Sequence, residues 1–342
     1  MTLNYKKPDL KNEYYDDFVK NIPYLTGKTI AITGTTSGTG YVAADTVASK
    51  GARVILLNRS SVRANDSYNK LKKSNPEAEL ISVDCDLQSF DSVRKTTKEV
   101  VGLCKDGLDV LCNNAGVMAI RDIPTVDGFD VQMQTNHLSH FLLTKELFSS
   151  LKNAEEIRGE SRIVNHSSIA RFGVKKLESK YFEKRGGNLG GNGSNMLLSM
   201  FIPQGRWTRY AQTKLANAAF TASLHEKLSK INSNIKALVA HPGLAMTELQ
   251  STTVKDGGIG PWMISQMMKS KGQTMQDGAI GIIKCMTDVN VESGEFYGPG
   301  SGKMDMKGLA VKFNLEGFYD NKETKDLLWS KSCEAIGEEF DI

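Results

Sequence analysis

The chain has 342 residues, of which 40% are hydrophobic and 24% are charged, and its net charge is +4. This composition is typical of a globular protein that buries a sizeable core. The positive charges form no lysine- or arginine-rich block, so a nucleic-acid partner is not expected. Five scattered cysteines without a CxxC pair indicate neither a disulfide framework nor a zinc site.

The first 26 residues are predicted to be a charged N-terminal extension that packs on the surface or frays. They hold no apolar stretch of the kind found in secretory signals. No run elsewhere approaches the roughly 18 apolar residues that span a bilayer. We therefore expect a cytoplasmic protein without a membrane span.

Residues 27–342 are predicted to form one domain, because short apolar runs rich in β-branched residues alternate with helical segments along them. In chain order the runs are KTIAIT, ARVILLN, AELISVD, LDVLCNN, SRIVNHSS and NIKALVAHPG. Nearly continuous apolar strands between helices indicate a parallel sheet covered on both faces. With right-handed crossovers, this pattern predicts an α/β fold with a doubly wound parallel sheet, the Rossmann fold.

The first strand is followed by a glycine loop, TGTTSGTG, with glycines at Gly34, Gly38 and Gly40. Glycine allows a tight turn and a close approach to a ligand, and the following helix N-terminus attracts a pyrophosphate. The spacing differs from GxGxxG. The loop therefore indicates a dinucleotide site through its place after the first strand, not through its pattern alone.

The second strand ends in LLNRS, where a dinucleotide-binding fold often carries an acid for the ribose 2′-hydroxyl. Here Asn58 stands in that region and Arg59 follows. A guanidinium can bind a 2′-phosphate, which an acid would repel, so NADP(H) is the expected cofactor. The alternative is a surface arginine that begins a loop.

Two irregular regions interrupt the alternation, an insert at residues 169–207 and a segment at residues 244–273. The insert holds GGNLGGNGSN, expected to swing, and then the apolar stretch MLLSMFIPQGRW. The second region is predicted to be a substrate lid facing the insert across a cleft, with Trp262, Met263, Met267 and Met268 towards it. The alternative is that both regions cap the core or form a partner interface.

The pentad YAQTK places Tyr210 and Lys214 four positions apart in a helical segment, so the two side chains share a face. Alone, the pair is weak evidence, because an exposed tyrosine beside an exposed lysine is a more common cause of this spacing than a catalytic acid. His137, His140 and His166 lack the spacing of metal ligands, and no metal site is expected.

Seven motifs occur in the order typical of the short-chain dehydrogenase/reductase family, which the chain resembles over roughly residues 27–288. They are TGTTSGTG, CDL, NNAG, TNHLSHFLLT, RIVNHSS, YAQTK and HPG. In the motif TNHLSHFLLT and in the long gap between Ser168 and Tyr210, the chain resembles the retinol dehydrogenase and protochlorophyllide oxidoreductase branch. The gap puts substrate inference from simpler members of the family in doubt.

The resemblance implies a catalytic tetrad of Asn136, Ser168, Tyr210 and Lys214, with Ser167 as the neighbouring candidate for the serine. It also implies cofactor contacts along the strand ends. Together with Asn58 and Arg59, these are Gly34, Ser37, Gly38, Gly40, Asp86, Asn113, Ala115, Gly116, Pro242, Gly243 and Thr247.

Each implied residue type suits a proton and hydride exchange. Lys214 is expected to lower the pKa of the Tyr210 phenol by roughly 1–3 units, so that it can exchange a proton with the substrate oxygen. Ser168 would hold that oxygen, and Asn136 would support a water that connects Lys214 to solvent.

The expected protein is an NADP(H)-dependent oxidoreductase that interconverts a carbonyl and an alcohol on a lipophilic substrate. One alternative is reduction of an activated C=C bond, and another is a catalytically idle protein that senses NADP(H). Family members commonly dimerise through the helices that carry the Asn136 and Tyr210 motifs, so the resemblance implies a homodimer.

Overall fold

The computed structural model describes residues 8–192, 204–300 and 304–342. In these parts of the chain, eight strands form one sheet. They are β1 Thr29–Thr33, β2 Arg53–Asn58, β3 Leu80–Asp84, β4 Val110–Asn113, β5 Ser161–His166, β6 Ile235–Ala240, β7 Phe296–Pro299 and β8 Ala310–Phe313.

The strand order is β3-β2-β1-β4-β5-β6-β7-β8. Strands β1 to β7 run parallel, and β8 pairs antiparallel with β7. The order reverses between β1 and β4, where an open α/β sheet leaves a crevice for a ligand. The doubly wound parallel sheet predicted from the sequence is confirmed.

Twelve helical segments accompany the sheet in the described residues. They are α1 Tyr15–Lys20, α2 Gly38–Ser49, α3 Val62–Ser74, α4 Phe90–Leu103, α5 Val131–Met133, α6 Ser139–Glu146, α7 Phe148–Arg158, α8 Gln204–Lys230, α9 Glu248–Lys255, α10 Pro261–Lys271, α11 Met275–Thr287 and α12 Lys322–Ile336. A π-helical turn, Gln134–Leu138, joins α5 to α6, and short 3-10 turns cover Ile169–Gly173 and Ser179–Phe182.

Alternate residues of the central strands enter two separate cores. On β5, Ile163 packs in the core that contains α4, α6 and α8, whereas Val164 packs in the core that contains α2 and α11. Successive side chains of a strand point to opposite faces, so a strand buried on both sides needs apolar residues without alternation. This is why the strands read as continuous apolar runs in the sequence.

The N-terminal extension packs on the domain from residue 8 onward. The carboxylate of Asp277, on α11, accepts hydrogen bonds from the backbone N–H groups of Glu13, Tyr14 and Tyr15 at 2.9, 3.0 and 2.9 Å. Leu10 packs against a small apolar cluster on α9 and α10. Of the two alternatives expected for the extension, these residues pack on the surface of the domain.

The described part of the glycine-rich insert is tied down. Asp122 accepts hydrogen bonds from the backbone N–H groups of Gly187, Leu189 and Gly190 at 2.8, 2.5 and 2.9 Å. Asn192 also bonds the backbone of Asp122 on both its N–H and its carbonyl. These contacts argue against a swing of residues 186–192, which stays a prediction. Residues 193–203, with most of the apolar stretch, lie outside the described residues.

The C-terminal helix α12 packs along α8. Trp329 of α12 contacts the rings of Phe220 and Phe141 at centroid distances of 6.1 and 5.2 Å and stacks on Phe340 at 5.1 Å. Because sheet-facing and outward-facing sides of α8 are both covered, most of this helix is buried. Among the described residues, no helix combines the length and the apolar character that a membrane span requires.

Candidate active site

The carboxyl ends of the central strands open into a cleft of about 950 Å³. Its walls come from the glycine loop, from the turn after β5, from the first turns of α8 and from the segment after β6. Three of the four residues predicted as catalytic line it: Ser168, Tyr210 and Lys214. The fourth, Asn136, lies just behind the wall.

Ser168 and Tyr210 meet through their side chains. The Ser168 hydroxyl lies close enough to the phenol to favour a lower pKa for Tyr210. Ser168 Oγ also accepts from the N–H of Ala170 at 3.1 Å, and Ser168 is the N-cap of the 3-10 turn. Ser167 is engaged elsewhere, since its Oγ donates to the backbone carbonyl of Lys214 at 2.7 Å. The geometry therefore favours Ser168 over Ser167 as the serine of the site.

Burial dominates the titration of Tyr210 and Lys214. It raises the pKa of Tyr210 to about 12, against a smaller lowering effect of the hydrogen bond with Ser168. It lowers the pKa of Lys214 to about 7. The expectation that Lys214 lowers the pKa of Tyr210 is therefore wrong for this structure, because burial dominates the pKa of both groups.

Lys214 is held at the floor of the cleft by backbone. Its Nζ donates to the carbonyl oxygen of His166 at 2.9 Å. Gly116 leaves room beside it, since a Cβ at Gly116 would lie 3.6 Å from Lys214 Nζ and 3.1 Å from Asn136 Oδ1. The strand end after β4, the π-helical turn and α8 thus converge on one point.

Asn136 joins these elements from within the π-helical turn. Its Oδ1 accepts from Val117 N–H at 2.8 Å, and its Nδ2 donates to Val117 O and Thr213 Oγ1, both at 2.9 Å. The side chain therefore clamps the loop after β4 to the catalytic helix. Its expected role in a water relay stays a prediction.

The glycines of the loop after β1 serve different purposes. Gly34, at φ +74°, has a Cβ position 2.8 Å from the Ala115 backbone, and Gly38, at φ +63°, approaches Thr247. A Cβ at Gly40 would collide with the side chain of Asn114, so Gly40 allows packing under the cleft and does not line it. The three glycines therefore let the loop, which forms the cradle after β1, pack closely against Ala115, Thr247 and Asn114.

The region after β2 holds two arginines. Arg59 is exposed on the cleft rim, and the guanidinium makes no hydrogen bond or ion pair with the part of the chain that the structure describes. Arg63, the second residue of α3, also lines the cleft and donates to Ser37 Oγ at 3.1 Å. Sequence reasoning missed Arg63, although its spacing of four from Arg59 was visible.

Asn58 lines the cleft, but its side chain forms hydrogen bonds with the glycine loop. Its Oδ1 accepts from Thr35 N–H at 2.8 Å and its Nδ2 donates to Thr35 Oγ1 at 2.7 Å. Asn58 therefore shapes the cradle rather than offering a free polar group to a ligand.

Asn113 does not line the cleft. Its Nδ2 donates to Asn165 Oδ1 and Thr144 Oγ1 at 3.0 and 3.1 Å, inside the core. The next residue, Asn114, lines the cleft instead and accepts from His166 Nδ1 at 2.9 Å. Strand parity accounts for the shift, since neighbouring residues point to opposite faces.

The remaining expected cofactor contacts line the cleft. They are Asp86, Ala115, Gly116, Pro242, Gly243 and Thr247. Thr247 also caps α9, where its side chain accepts from Leu249 N–H at 3.3 Å.

Three histidines near these motifs have separate partners. His137 contacts Ser332 and His140 contacts Thr33, both at 2.9 Å, and burial lowers the pKa of His137 to about 3 and of His140 to about 4. In residues 8–192, 204–300 and 304–342, no group of three potential metal ligands is present.

The predicted lid contributes one methionine to the cleft. Met267 lines it together with Ile259 and Ile264, whereas Met268 is buried in the cluster behind them. The predicted inward direction of Trp262 is wrong, because its side chain is 72% exposed. The sequence alone did not reveal which side of α10 faces the cleft.

The end of the insert touches the lid segment. Trp207 lines the cleft, donates from Nε1 to Gly258 O at 2.8 Å and meets the Tyr210 ring edge-on at a centroid distance of 5.9 Å. Arg206 forms an ion pair with Asp256 at 3.0 Å. The two irregular regions are thus joined beside the phenol.

Comparisons with known proteins find similarity over most of the chain. The family model for short chain dehydrogenases matches residues 28–181. Short-chain dehydrogenase TIC 32 A, chloroplastic, of Brassica napus is 33% identical over 249 residues, which are 70% of this chain and 69% of that protein. Retinol dehydrogenase 12 of Mus musculus is 29% identical over 316 residues, 92% of this chain and 87% of that one.

A solved structure also matches. The crystal structure of an uncharacterised protein from Mycobacterium paratuberculosis has a TM-score of 0.68 and 26% identity, with 95% of this chain and 98% of that chain covered.

Proposed function

The chain belongs to the short-chain dehydrogenase family, and we propose that it is an NADP(H)-dependent oxidoreductase that interconverts a carbonyl and an alcohol on a lipophilic substrate. The observation that carries the proposal is the meeting of Tyr210, Ser168 and Lys214 in the cleft that the glycine loop enters, with the Ser168 hydroxyl close enough to the phenol to influence the pKa of Tyr210. A proton donor and an oxygen-binding hydroxyl thus point to one place.

The cradle after β1 fits a dinucleotide. Gly34 lines the cleft and, without a Cβ, packs closely against Ala115. Ser37 caps α2 without a side-chain capping bond, so the helix N-terminus can receive a pyrophosphate. A bound nicotinamide cofactor would supply or accept the hydride. Pro242, Gly243 and Thr247 would hold its nicotinamide end, and Asp86 its adenine end.

The preference for NADP(H) rests on charge after β2. Arg59 and Arg63 both line the cleft there, and Ser37 lies between the glycine loop and Arg63. A guanidinium binds a phosphate in a charge-assisted, bidentate way that a ribose hydroxyl cannot match. Two such groups at one rim favour the cofactor with the 2′-phosphate.

The lipophilic substrate is supported by the wall opposite the cradle. That side of the cleft is lined mainly by apolar groups: Val117, Met118, Ile169, Trp207, Leu244, Leu249, Ile259, Ile264 and Met267. Apolar walls with a few convergent polar groups are typical of sites for apolar small molecules. The retinol dehydrogenase named above acts, by its name, on an apolar alcohol.

The chain's own groups would move the proton. In reduction, Tyr210 donates its hydroxyl proton to the carbonyl oxygen as that oxygen gains negative charge, and Ser168 stabilises the oxygen by a hydrogen bond. Because burial raises the pKa of Tyr210 to about 12, the phenol is protonated at neutral pH and ready to donate. In oxidation the same proton returns to Tyr210.

A panel of aldehydes, ketones and alcohols, screened with all four nicotinamide cofactors, tests the proposal. We expect NADPH consumption with lipophilic carbonyls and a new hydroxyl group in the product. Reduction of a C=C bond leaves no new hydroxyl and would redirect the proposal to that chemistry. NADPH binding without turnover on the whole panel would favour the sensing alternative. The cytoplasmic location stays a prediction. So does the homodimer implied by the resemblance, although the packing of α12 on α8 favours a single chain.

A further inference from the structure

We propose that Arg171 and Glu316 form a positioning pair that fixes Ser168 for its contact with Tyr210. The pair joins the catalytic turn after β5 to the segment after β8, far along the chain. The inference rests on the proposed function for its kinetic consequence, but its structural consequence can be measured without a substrate.

Arg171 reaches both ends of this connection. Its side chain is fully buried, and its Nη1 donates to the backbone carbonyl of Ser168 at 3.1 Å. Its Nη2 donates to Glu316 Oε1 at 2.6 Å, and its Nε to Oε2 at 3.3 Å. The guanidinium therefore binds the carboxylate bidentately through Nε and Nη2, and its Nη1 binds the carbonyl of Ser168.

Aromatic rings fix the plane of the guanidinium. Its Cζ lies 4.2 Å from the ring centroid of Phe172 and 4.4 Å from that of Phe296 on β7. Glu316 is itself only 5% exposed. The stacked rings and the ion pair restrict the Arg171 side chain, and its hydrogen bond restricts the carbonyl of Ser168.

Ser168 is thus anchored at two atoms. Arg171 holds its carbonyl, and the N–H of Ala170 holds its Oγ, in the same part of the cleft as the Tyr210 hydroxyl. Loss of the backbone anchor frees the turn to rotate. Small displacements of a positioned group cost large factors in rate, so the pair matters for turnover beyond its effect on folding.

Removal of one partner alone would leave an uncompensated buried charge and disturb folding. The test variant is therefore the double substitution Arg171→Met with Glu316→Leu, which replaces the ion pair by apolar groups. Arg171→Lys is the second variant, since it keeps the charge next to Glu316 but cannot serve both partners. Arg162→Met is the control, because Arg162 lies at the other end of β5 and pairs with Glu160.

We expect the double variant to fold and to bind NADPH like the parent protein. We expect kcat for carbonyl reduction to fall on the order of 10- to 100-fold, with a much smaller change in KM. Arg171→Lys should show the same direction, and Arg162→Met should keep the parent kcat. In a Ser168→Ala background, the double substitution should cost no further activity, because the pair acts through Ser168.

A crystal structure of the double variant supplies the readout that needs no substrate. We expect the Ser168 side chain to have left the Tyr210 hydroxyl. Retention of that contact, parent-like kcat in both Arg171 variants, or an equal loss in the Ser168→Ala background would overturn the inference. If the parent protein reduces no carbonyl, the proposed function fails, while the position of Ser168 in the variant still decides whether the pair fixes it.

Discussion

Lys214 Nζ lies 5.7 Å from the ring centroid of Tyr210, and burial favours the neutral form of both side chains. The pKa of Tyr210 rises to about 12, and that of Lys214 falls to about 7. At neutral pH the site therefore holds a protonated phenol next to an amine that is close to its own titration point. This state suits a proton donor for carbonyl reduction.

Replacement of Tyr210 by Phe should abolish the proton donor with little change to the fold. We expect turnover to fall by about 10²- to 10⁴-fold, with NADPH affinity nearly unchanged, because the ring still packs against Trp207. Steady-state kinetics and a fluorescence titration with NADPH measure the two quantities. Tyr68→Phe on α3 is the matched control, and a Tyr210→Phe enzyme with parent-like kcat would refute the assignment.

The stability of the protein should depend on pH through Lys214. Burial lowers the pKa of this amine from 10.5 to about 7 in the folded state. Between these values the unfolded chain binds the proton and the folded chain does not. The contribution of the group to stability is therefore greatest above pH 10.5 and is lost as pH falls towards 7.

Lys214→Met should remove this dependence. Urea denaturation of the parent and the variant from about pH 7.5 to about pH 9.5 should show a parent stability that gains up to about 1.4 kcal/mol per pH unit over the variant. Other titrating groups are common to both proteins and cancel. Parallel stability curves would show that Lys214 keeps an ordinary pKa.

The sheet could be predicted from patterns that are local to single elements, whereas the tetrad was implied by the resemblance to the short-chain dehydrogenase/reductase family. Apolar runs reveal strands buried on two faces, and four-residue spacing puts Tyr210 and Lys214 together. The sequence could not give Asn114 in place of Asn113, since that choice depends on which face of the strand end meets the cleft. Nor could it give the Arg171–Glu316 pair, which joins residues far apart in the chain.

Cofactor preference should depend on both arginines after β2. We expect NADPH to bind about 10- to 100-fold more tightly than NADH, equivalent to about 1.5–3 kcal/mol. Arg59→Ala and Arg63→Ala should each reduce this ratio by weakening NADPH alone. Calorimetric titration with both cofactors checks this, with Arg185→Ala, outside the cleft, as the control. Equal affinities in the parent protein would contradict the NADP(H) assignment.

The assembly state should follow from the C-terminal helix. The homodimer implied by the family would use α8, but α12 covers α8 through Trp329, and Lys227 of α8 lies 4.4 Å from that ring's centroid. We therefore expect light scattering at micromolar concentration to give the mass of one chain. Truncation before α12 should expose the apolar face of α8 and promote self-association. A parent protein with the mass of two chains would restore the homodimer.

The lid is the part of the site where sequence reasoning was least complete. The sequence located an irregular apolar segment after β6. It could not show which residues of α10 face the cleft, because apolar residues on this helix contact both the cleft and the cluster behind it. The insert also proved to be held by Asp122 over residues 187–190. Shortening that loop would therefore disturb a scaffold, and point changes in α10 test the lid more directly.

Met267 and Trp262 provide a matched pair on α10. Met267 lines the cleft, whereas the Trp262 side chain is 72% exposed. If α10 is a wall of the substrate site, Met267→Ala should raise KM for large lipophilic carbonyls about fivefold, from about 1 kcal/mol of lost apolar contact. It should leave a small ketone and NADPH affinity nearly unaffected, and Trp262→Ala should change none of these. Equal effects of the two substitutions, or equal effects on large and small substrates, would show that α10 supports the fold without contacting the substrate.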